Sequence, residues 1–379
     1  MKKILYLHAG AELYGADIVM LELIKRIDKE KYEPVVILPN DGQLVKKLRD
    51  LEVNVIVQNY PILRRKYFNL KGIIKYCFEY IKYSKKIIKY IKKENIDILH
   101  INTSAVLEGA YIKKKTGIRT IWHIHEILVK PKFISKFIYN IIARYSDEIV
   151  CVSEAVKEHF MKITNRRDVK VIYNGVDNSK FNKNINCEYL KKEFDIKDED
   201  IVVGMIGRVN AWKGQNDFLK AMELIFPKVS NLKALIVGGV FEGQEWRMQE
   251  LKKDINESKY SDKIIFSDYR QDSANIHKLI DIFILPSINP DPLPTVVLEA
   301  MASAKPIVGY RHGGICEMVE DGYNGYLANV KDVKDLANKI WLLIENQELR
   351  ILMGNRSEER QRKYFSLDAY VSNFEKLYE

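Results

Sequence analysis

The chain has 379 residues, and its 47% hydrophobic and 30% charged residues exclude a disordered or collagen-like protein. Two domains are expected at this length; no apolar run approaches the roughly 18–20 residues of a membrane span, and four cysteines without a CxxC pair predict a reducing, cytoplasmic setting. The net charge of +10 is uneven: residues 1–178 hold 33 basic and 20 acidic residues and carry +13, whereas residues 179–379 hold 28 and 31 and carry −3.

Short runs rich in valine and isoleucine alternate with amphipathic, helix-length segments along both halves. The predicted strands are 4–7, 35–38, 53–57, 96–100, 120–125, 149–152 and 169–173, then 201–206, 234–237, 264–266, 282–285, 306–308 and 325–327. Such alternation predicts parallel sheets covered by helices. We therefore predict an α/β protein of two doubly wound parallel-sheet domains that face each other across a cleft. The polar stretch 178–200 joins them, with a short helix near 187–194.

Ligands of doubly wound sheets bind beyond the carboxyl ends of the strands, so the loops there carry the candidate chemistry. The loop after the first strand contains Gly10 and Gly15, and its backbone amides could approach a phosphate at the start of the next helix. The glycine spacing is not GxGxxG, so no dinucleotide site is expected. An ordinary tight turn explains the pattern equally well.

The segment 60–99 holds eleven basic residues against three acidic ones and contains a predicted amphipathic helix, 72–93. Its apolar side consists of Ile74, Phe78, Ile81, Ile88 and Ile91. A basic, aromatic-fringed helix of this kind can lie on an anionic membrane. The alternative is a helix whose apolar stripe is core and whose lysines are merely solvated. We predict a membrane patch of Lys75, Lys82, Lys85, Lys86 and Lys89, extended by Lys130, Lys132, Phe133, Lys136 and Phe137.

The strand 120–125 ends in Trp122-His123-Ile124-His125-Glu126, where alternation puts both histidines on one side and His125 at the mouth of the sheet. A zinc site needs three or four ligands, and His100 and His159 are isolated in the sequence. We therefore predict a hydrogen-bonding His125 rather than a metal ligand. A purely structural histidine is equally compatible with the pattern.

Two loops of the second half suit an anionic ligand. Arg208, after Gly207, and Lys213, before Gly214, suit a diphosphate, unless they are ordinary surface cations. In the loop 286–294 three prolines restrict the backbone, and Thr295 is predicted to cap the next helix, whose free amides would face an anion. Asp291 and Glu299 flank that helix end, where carboxylates are explained best as acceptors from sugar or ribose hydroxyls.

Together these motifs resemble the retaining GT4 glycosyltransferases of the GT-B fold, over essentially the whole chain. The resemblance rests on Gly15-Ala16-Asp17, His125-Glu126, Asn174-Gly175-Val176-Asp177, Gly207-Arg208 with Lys213-Gly214, and Asp291 through Met301. It implies an N-terminal, acceptor-binding Rossmann-like domain over 1–178 and a C-terminal, nucleotide-sugar-binding one over 198–363. It also implies that the final helix, within 364–379, packs back on the first domain.

The resemblance further implies residue roles. The catalytic residues would be His125, Arg208, Lys213, Asp291 and Glu299. The donor-binding residues would be Gly10, Gly15, Gly207, Arg208, Lys213, Tyr269, Arg270, Leu293, Pro294, Thr295, Val296 and Glu299. Tyr269 and Arg270 would lie at the nucleobase. Asp291 stands where the family has glutamate, which leaves its sugar contact open. No cofactor is expected, and no metal is expected because cationic side chains can stabilise the leaving diphosphate. Asp198-Glu199-Asp200 resembles a metal-binding DxD only superficially and is interpreted as a solvated turn of the polar stretch.

The predicted activity is retaining transfer of a sugar from a nucleotide-sugar, UDP-linked in our prediction, to a glycan acceptor. We predict a lipid-linked acceptor, a role in bacterial envelope polysaccharide assembly, and peripheral attachment to the inner face of the membrane. One alternative is a GT-B-type nucleotide-sugar epimerase. A nucleic-acid-binding module, suggested by the sequence pI near 9.1, is the other. It lacks the usual recognition motifs, so no nucleic acid is expected as a partner.

Overall fold

The computed structural model describes residues 1–64 and 67–379, so Arg65 and Lys66 of the basic segment lie outside the described residues. The chain divides into two compact units. The first contains residues 1–174 and 368–379, and the second contains residues 175–367. The two doubly wound, parallel-sheet α/β domains predicted from the sequence are confirmed.

The first unit is built on a parallel sheet with seven strands among the described residues, in the order β3-β2-β1-β4-β5-β6-β7. The strands are β1 (Lys2–Leu7), β2 (Tyr32–Leu38), β3 (Asn54–Val57), β4 (Ile98–Ile101), β5 (Arg119–Ile124), β6 (Glu148–Cys151) and β7 (Val169–Val171). The helices are α1 (Gly15–Arg26), α2 (Gln43–Asp50), α3 (Leu70–Glu94), α4 (Glu108–Thr116), α5 (Lys132–Tyr145) and α6 (Glu154–Ile163). The central strands are almost continuously apolar because helices cover both faces of the sheet.

The second unit repeats the architecture with six strands among the described residues, in the order β10-β9-β8-β11-β12-β13. The strands are β8 (Ile201–Ile206), β9 (Leu232–Val237), β10 (Ile264–Ser267), β11 (Ile282–Leu285), β12 (Ile307–Tyr310) and β13 (Gly325–Ala328). The helices are α7 (Glu188–Glu193), α8 (Gln215–Ile225), α9 (Glu245–Glu257), α10 (Ser273–Leu279), α11 (Thr295–Ala302), α12 (Ile315–Met318), α13 (Val333–Ile344) and α14 (Gln347–Tyr364). The polar stretch 178–200 belongs to this unit, where Phe181 and Leu190 are buried.

The last helix, α15 (Leu367–Tyr378), supplies residues 368–379 to the first unit. The buried Tyr378 hydroxyl lies 2.6 Å from His100 Nδ1 and shares a 3.0 Å hydrogen bond with the Tyr6 hydroxyl. Glu375 accepts a 2.8 Å bond from the backbone amide of Asp28. Helix α15 therefore completes the core beside β1 and β4.

Helix α3 departs from the predicted single apolar stripe. It begins after Asn69, whose side chain accepts a bond from the Gly72 amide, and its buried apolar residues lie in the second half, at Ile87 and Ile91. Ile74 and Phe78 are 65% and 68% exposed. Helix α4, the neighbour on which α3 packs, has 9 residues against 25 in α3, so it is too short to cover both halves. No helix among the described residues is long and apolar enough to span a membrane.

Candidate active site

The loops that follow β8 and β11 meet at the switch point of the second sheet, because these two strands are neighbours while their connections lead to opposite sides. The backbone amide of Ile288 donates a 2.7 Å hydrogen bond to the Trp212 carbonyl, which ties the two loops together. The predicted cations and carboxylates of this half thus lie on adjacent loops of one unit.

Lys213 and Asp291 form a closed ion pair. The Lys213 ammonium lies 2.9 Å from both carboxylate oxygens of Asp291, and Ser287 donates a 2.6 Å bond to Asp291 Oδ2. The two charged side chains are only 15% and 9% exposed. The ion pair holds the Lys213 ammonium in place. It also gives the buried Asp291 carboxylate a charged partner within the second unit, so its presence needs no ligand to explain it. The predicted sugar contact of Asp291 stays a prediction.

Two glycines allow the backbone around this pair to approach closely. Gly214, with φ of +83°, is the N-cap of α8, and a Cβ there would lie 2.0 Å from the Pro286 carbonyl oxygen. Gly314 donates a 2.8 Å bond to the Asp291 carbonyl, and a Cβ there would lie 2.0 Å from the Pro292 carbonyl oxygen. Any side chain at either position would push the loop away from the ion pair.

The predicted cap of α11 is wrong by one residue. Pro294 occupies the N-cap with an extended backbone, and Thr295 is already the first helical residue. Proline offers no side-chain cap, and within the described chain the Thr295 and Val296 amides donate to no partner. These donors lie at the positive end of the helix, where an anion is favoured. Leu293, which precedes Pro294, is buried and anchors the loop.

Glu299 lies one turn into α11 and contacts a histidine that sequence reasoning did not single out. His277 Nε2, on α10, is 3.1 Å from Glu299 Oε2, and the His277 side chain is fully buried against Phe181 and Phe283. The contact with the buried His277 ring therefore fixes the position of one oxygen of the Glu299 carboxylate. Such a fixed acceptor suits neighbouring hydroxyl groups.

Arg208 follows Gly207 and stacks on an aromatic ring. Its guanidinium carbon lies 3.5 Å from the ring centroid of Phe241, and its carbonyl accepts a 2.9 Å bond from Gln215 Nε2. Gly207 itself donates a 2.9 Å bond to the Val237 carbonyl across to the neighbouring strand. Stacking on Phe241 orients the planar guanidinium.

Tyr269 and Arg270, predicted at the nucleobase, lie after β10. Tyr269 is exposed, but Arg270 donates to both Asp272 oxygens at 2.8 and 2.7 Å and to Glu193 at 2.5 Å. Hydrogen bonds from Arg270 lower the pKa of Asp272 to about 2. Arg270 is thus part of an ion-pair network on α7 and α10, and its contact with a base stays a prediction.

The first unit gathers four histidines at the carboxyl ends of β1, β4 and β5. The rings of His123 and His125 lie 4.0 Å apart on the same side of β5, as predicted. His100 is not isolated, because β4 lies beside β5 and brings its ring to 5.6 Å from His123. Burial lowers the pKa of His100 to about 3 and holds those of His123 and His125 well below their usual range, so all three are neutral at pH 7.

The glycine turn after β1 is held by hydrogen bonds to the Asp17 and Glu12 carboxylates. Gly15 is the first residue of α1, and Asp17 accepts a 2.7 Å bond from the Tyr14 amide while its other oxygen contacts His8 Nε2. Gly10 is buried next to the Glu12 carboxylate, which accepts a 2.9 Å bond from the Ala11 amide. The turn is therefore ordered without a ligand.

Glu126 and Asn102 organise the neighbouring loop, and Asn102 was missed by sequence reasoning. Glu126 accepts bonds from the Ser104 amide at 3.0 Å and from the Thr103 and Ser104 hydroxyls at 2.5 and 2.9 Å. Asn102 Oδ1 lies 3.0 Å from both His123 Nδ1 and His125 Nε2. An asparagine after a strand is an ordinary loop residue in a sequence, and only the strand order reveals this contact.

Comparison with known proteins supports this architecture. The family model Glycosyl transferases group 1 matches residues 188–360, and Glycosyltransferase Family 4 matches residues 14–180. The N-acetyl-alpha-D-glucosaminyl L-malate synthase of Bacillus anthracis is 27% identical over 87% of this chain and 89% of its own length. The N,N'-diacetylbacillosaminyl-diphospho-undecaprenol alpha-1,3-N-acetylgalactosaminyltransferase of Campylobacter jejuni is 26% identical, with 94% and 93% coverage. The crystal structure of Anabaena HepE in complex with UDP and glucose has a TM-score of 0.85 at 23% identity, covering 100% and 99%.

The two family matches, on successive parts of the chain, make it a glycosyltransferase, and its two parallel-sheet units are those of the GT-B fold. The chain belongs to the GT4 family. The GT4 family and the GT-B fold expected from the sequence motifs are thereby confirmed.

Proposed function

We propose that the enzyme transfers a sugar, with retention of configuration and without a metal ion, from a UDP-sugar to a lipid-linked glycan in bacterial envelope polysaccharide assembly. The observation that carries the proposal is the fixed Lys213 ammonium, which lies at the same switch point as the Thr295 and Val296 amides at the start of α11. A cation and a helix N-terminus together stabilise a diphosphate. The proposed donor domain is the region predicted over 198–363, within the second unit, and the proposed acceptor domain is the region predicted over 1–178, most of which forms the first unit.

The proposed chemistry follows from where charge develops. When the bond between the sugar and the diphosphate breaks, negative charge grows on the leaving phosphate, and Lys213 and Arg208 stabilise it there. Glu299 accepts bonds from ribose hydroxyls, and the segment 291–296 contacts the sugar and phosphate through its backbone. Gly10 and Gly15 allow the first turn to approach the phosphates, and His125 contacts the transferred sugar. The leaving phosphate itself removes the proton of the acceptor hydroxyl, since no side-chain nucleophile is assigned.

Two relatives support the finer parts of the proposal. The Campylobacter relative is named for a diphospho-undecaprenol-linked acceptor and for an α-linked product. A donor with an α-linked sugar gives an α-linked product only when the configuration at the anomeric carbon is retained. The Anabaena neighbour binds UDP and glucose. These names favour a UDP-sugar donor and a lipid-linked acceptor for this enzyme.

We expect UDP to raise the melting temperature of the protein. A ligand at 100 times its dissociation constant stabilises the folded state by about 2.7 kcal/mol, which corresponds to roughly 5–10 °C for a unit of this size. The measurement is thermal unfolding with UDP, GDP, ADP, CMP and NAD in parallel. Lys213→Ala should reduce the shift, while Lys220→Ala, an exposed lysine on α8, should leave it unchanged. No shift with any nucleoside diphosphate would contradict the donor assignment.

The proposed membrane attachment uses one surface of the first unit. Helices α3 and α5 both pack on α4, and their outward residues combine lysines with large apolar side chains. We call this the α3–α5 surface; it comprises Ile74, Phe78, Ile81, Phe133 and Phe137 with Lys75, Lys82, Lys85, Lys86 and Lys89. Phe133 is 74% exposed and Phe137 59%. Within the described residues no carboxylate pairs with the last four lysines. Exposed aromatic groups beside unpaired cations suit an anionic lipid surface.

Neutralising this surface is expected to release the enzyme from anionic vesicles. Glutamine at Lys75, Lys82, Lys85, Lys86 and Lys89 should weaken binding to phosphatidylglycerol-containing vesicles about 100-fold or more, since each cation near the membrane contributes about 1 kcal/mol. Cosedimentation at low and high salt measures this. The control carries glutamine at five exposed lysines of the second unit, Lys220, Lys228, Lys252, Lys253 and Lys334. Equal loss in the control, or no wild-type binding at either salt concentration, would contradict the membrane patch.

A further inference from the structure

Asn102 lies at the centre of the histidine cluster and is almost completely buried, with 1% of its surface exposed. It follows β4, and its backbone amide donates a 2.9 Å bond to the Leu7 carbonyl of β1. Its side chain lies between the ends of three elements. It contacts His8 after β1, His123 on β5 and His125 directly after it, and Ala16 on α1. A single amide thus contacts three imidazoles.

The contacts fix the orientation of the Asn102 amide. Its nitrogen lies 3.4 Å from the Ala16 carbonyl oxygen, which can only accept, so this side of the amide must be the donor. The opposite atom, Oδ1, therefore faces His123 Nδ1 and His125 Nε2. The same nitrogen lies 3.2 Å from His8 Nδ1, but this ring nitrogen also lies 3.1 Å from the Asn102 carbonyl oxygen, so the orientation of the amide rests on Ala16 and not on His8.

The orientation in turn fixes the proton of His125. Oδ1 has two lone pairs and no hydrogen, so an imidazole nitrogen that bonds to it must donate. A proton on His125 Nε2 faces both Asn102 Oδ1, 3.0 Å away, and His123 Nδ1, 3.1 Å away, and this places the His125 proton on Nε2. With His125 neutral, Nδ1 then carries a lone pair. Nδ1 has no hydrogen-bond partner among the described residues, and the His125 ring is only partly buried. The other tautomer would set two lone pairs 3.0 Å apart inside the unit.

We propose that Asn102 is a positioning residue, which holds His125 as the Nε2-protonated tautomer and so presents Nδ1 as a hydrogen-bond acceptor for a hydroxyl of the transferred sugar. The role towards the sugar rests on the proposed function. The tautomer is a property of the first unit alone and is tested on the protein without any ligand.

The direct test is the tautomer itself, read from imidazole nitrogen shifts of histidine-labelled protein at pH 7.5. His125→Gln identifies the His125 signals by their loss. Wild type is expected to show His125 protonated on Nε2 only, and Asn102→Ala to show a mixture or the Nδ1-protonated form. A wild-type His125 protonated on Nδ1, or an unchanged tautomer in Asn102→Ala, would overturn the proposal whatever the enzyme transfers.

The kinetic test is hydrolysis of the UDP-sugar, measured as released UDP. Asn102→Ala should lower kcat on the order of 10- to 100-fold, by analogy with other small misplacements of a reacting group. In a His125→Ala background the same change should cost no more than about 3-fold, because residues that act as a unit are not additive. Full additivity would assign Asn102 a merely structural role and overturn the proposal.

The pH profile separates positioning from folding. Asn102→Asp places a carboxylate beside His8, His123 and His125, and an opposite charge within about 4–6 Å raises a histidine pKa by roughly 1–3 units. The other titratable groups facing the cluster are Asp17 on α1, His100 on β4, Glu126 after β5 and Tyr378 on α15. The acid limb of kcat should move up by at least about one pH unit. A uniform loss at every pH would count against the proposal.

Discussion

Replacing Lys213 with alanine is expected to lower the rate of sugar transfer on the order of 10²–10³, the usual effect of removing one preorganised group that stabilises transition-state charge. The ammonium is held 2.9 Å from both oxygens of Asp291, so it needs no rearrangement when charge develops on the leaving phosphate. Single-turnover rates at saturating donor would measure the effect. A variant within about 3-fold of wild type would contradict the assigned role.

A second variant keeps this loss separate from misfolding. Lys213→Ala alone leaves the Asp291 carboxylate, 9% exposed, with Ser287 as its remaining side-chain donor, so the melting temperature should also fall. Combining it with Asp291→Asn removes the uncompensated charge. The double variant should regain stability without regaining the rate. Recovery of both together would show that the rate loss came from unfolding and not from the missing cation.

Gly214→Ala is expected to destabilise the second unit by about 3 kcal/mol or more, a reduction of roughly 6–12 °C in melting temperature. The residue has a φ of +83°, and its new Cβ would lie 2.0 Å from the Pro286 carbonyl oxygen, so the loop after β11 must move. Because that loop carries Asp291, binding of UDP should be lost as well. Differential scanning calorimetry and titration with UDP measure the two effects.

Gly243→Ala is the matched control, since Gly243 has a φ of +79° and nothing within 4 Å of its virtual Cβ. This variant is destabilised only by the left-handed backbone, which costs about 1–2 kcal/mol of unfolding free energy. Its melting temperature should fall by roughly 2–8 °C. The difference between the two variants isolates the close approach of Pro286. Equal destabilisation would mean that this approach does not constrain the loop.

Much of the fold was predictable because its strands are buried on both faces. Apolar runs such as Ile4–Leu7 and Ile201–Ile206 must be buried on both faces. Because they alternate with amphipathic helices, a parallel sheet covered by helices is the architecture that fits the sequence. Helix α3 was harder. Its periodicity is helical throughout, but a sequence pattern does not state which half a neighbouring helix will cover, and α4 covers only part of it.

The sequence was sufficient to predict which loops carry the candidate site, but not which side chains contact each other there. Arg208, Lys213, Asp291 and Glu299 stand out because charged groups after buried strands are unusual. Their pairings were not visible: the ion pair of Lys213 with Asp291 joins residues 78 positions apart. The histidine cluster illustrates the same limit, since His100 looked isolated until the strand order put β4 beside β5.

Because α15 returns to the first unit, the core of that unit cannot be completed until residues 368–379 have been synthesised. The stretch 175–367 leaves the ribosome before residues 368–379, which at about 5–20 residues per second delays the first domain by roughly 10–40 s. During that time Tyr6 and His100 lack the Tyr378 ring that covers them. The second unit can finish folding while the first is still incomplete, so the first unit is the part of the nascent chain that exposes apolar surface to a chaperone.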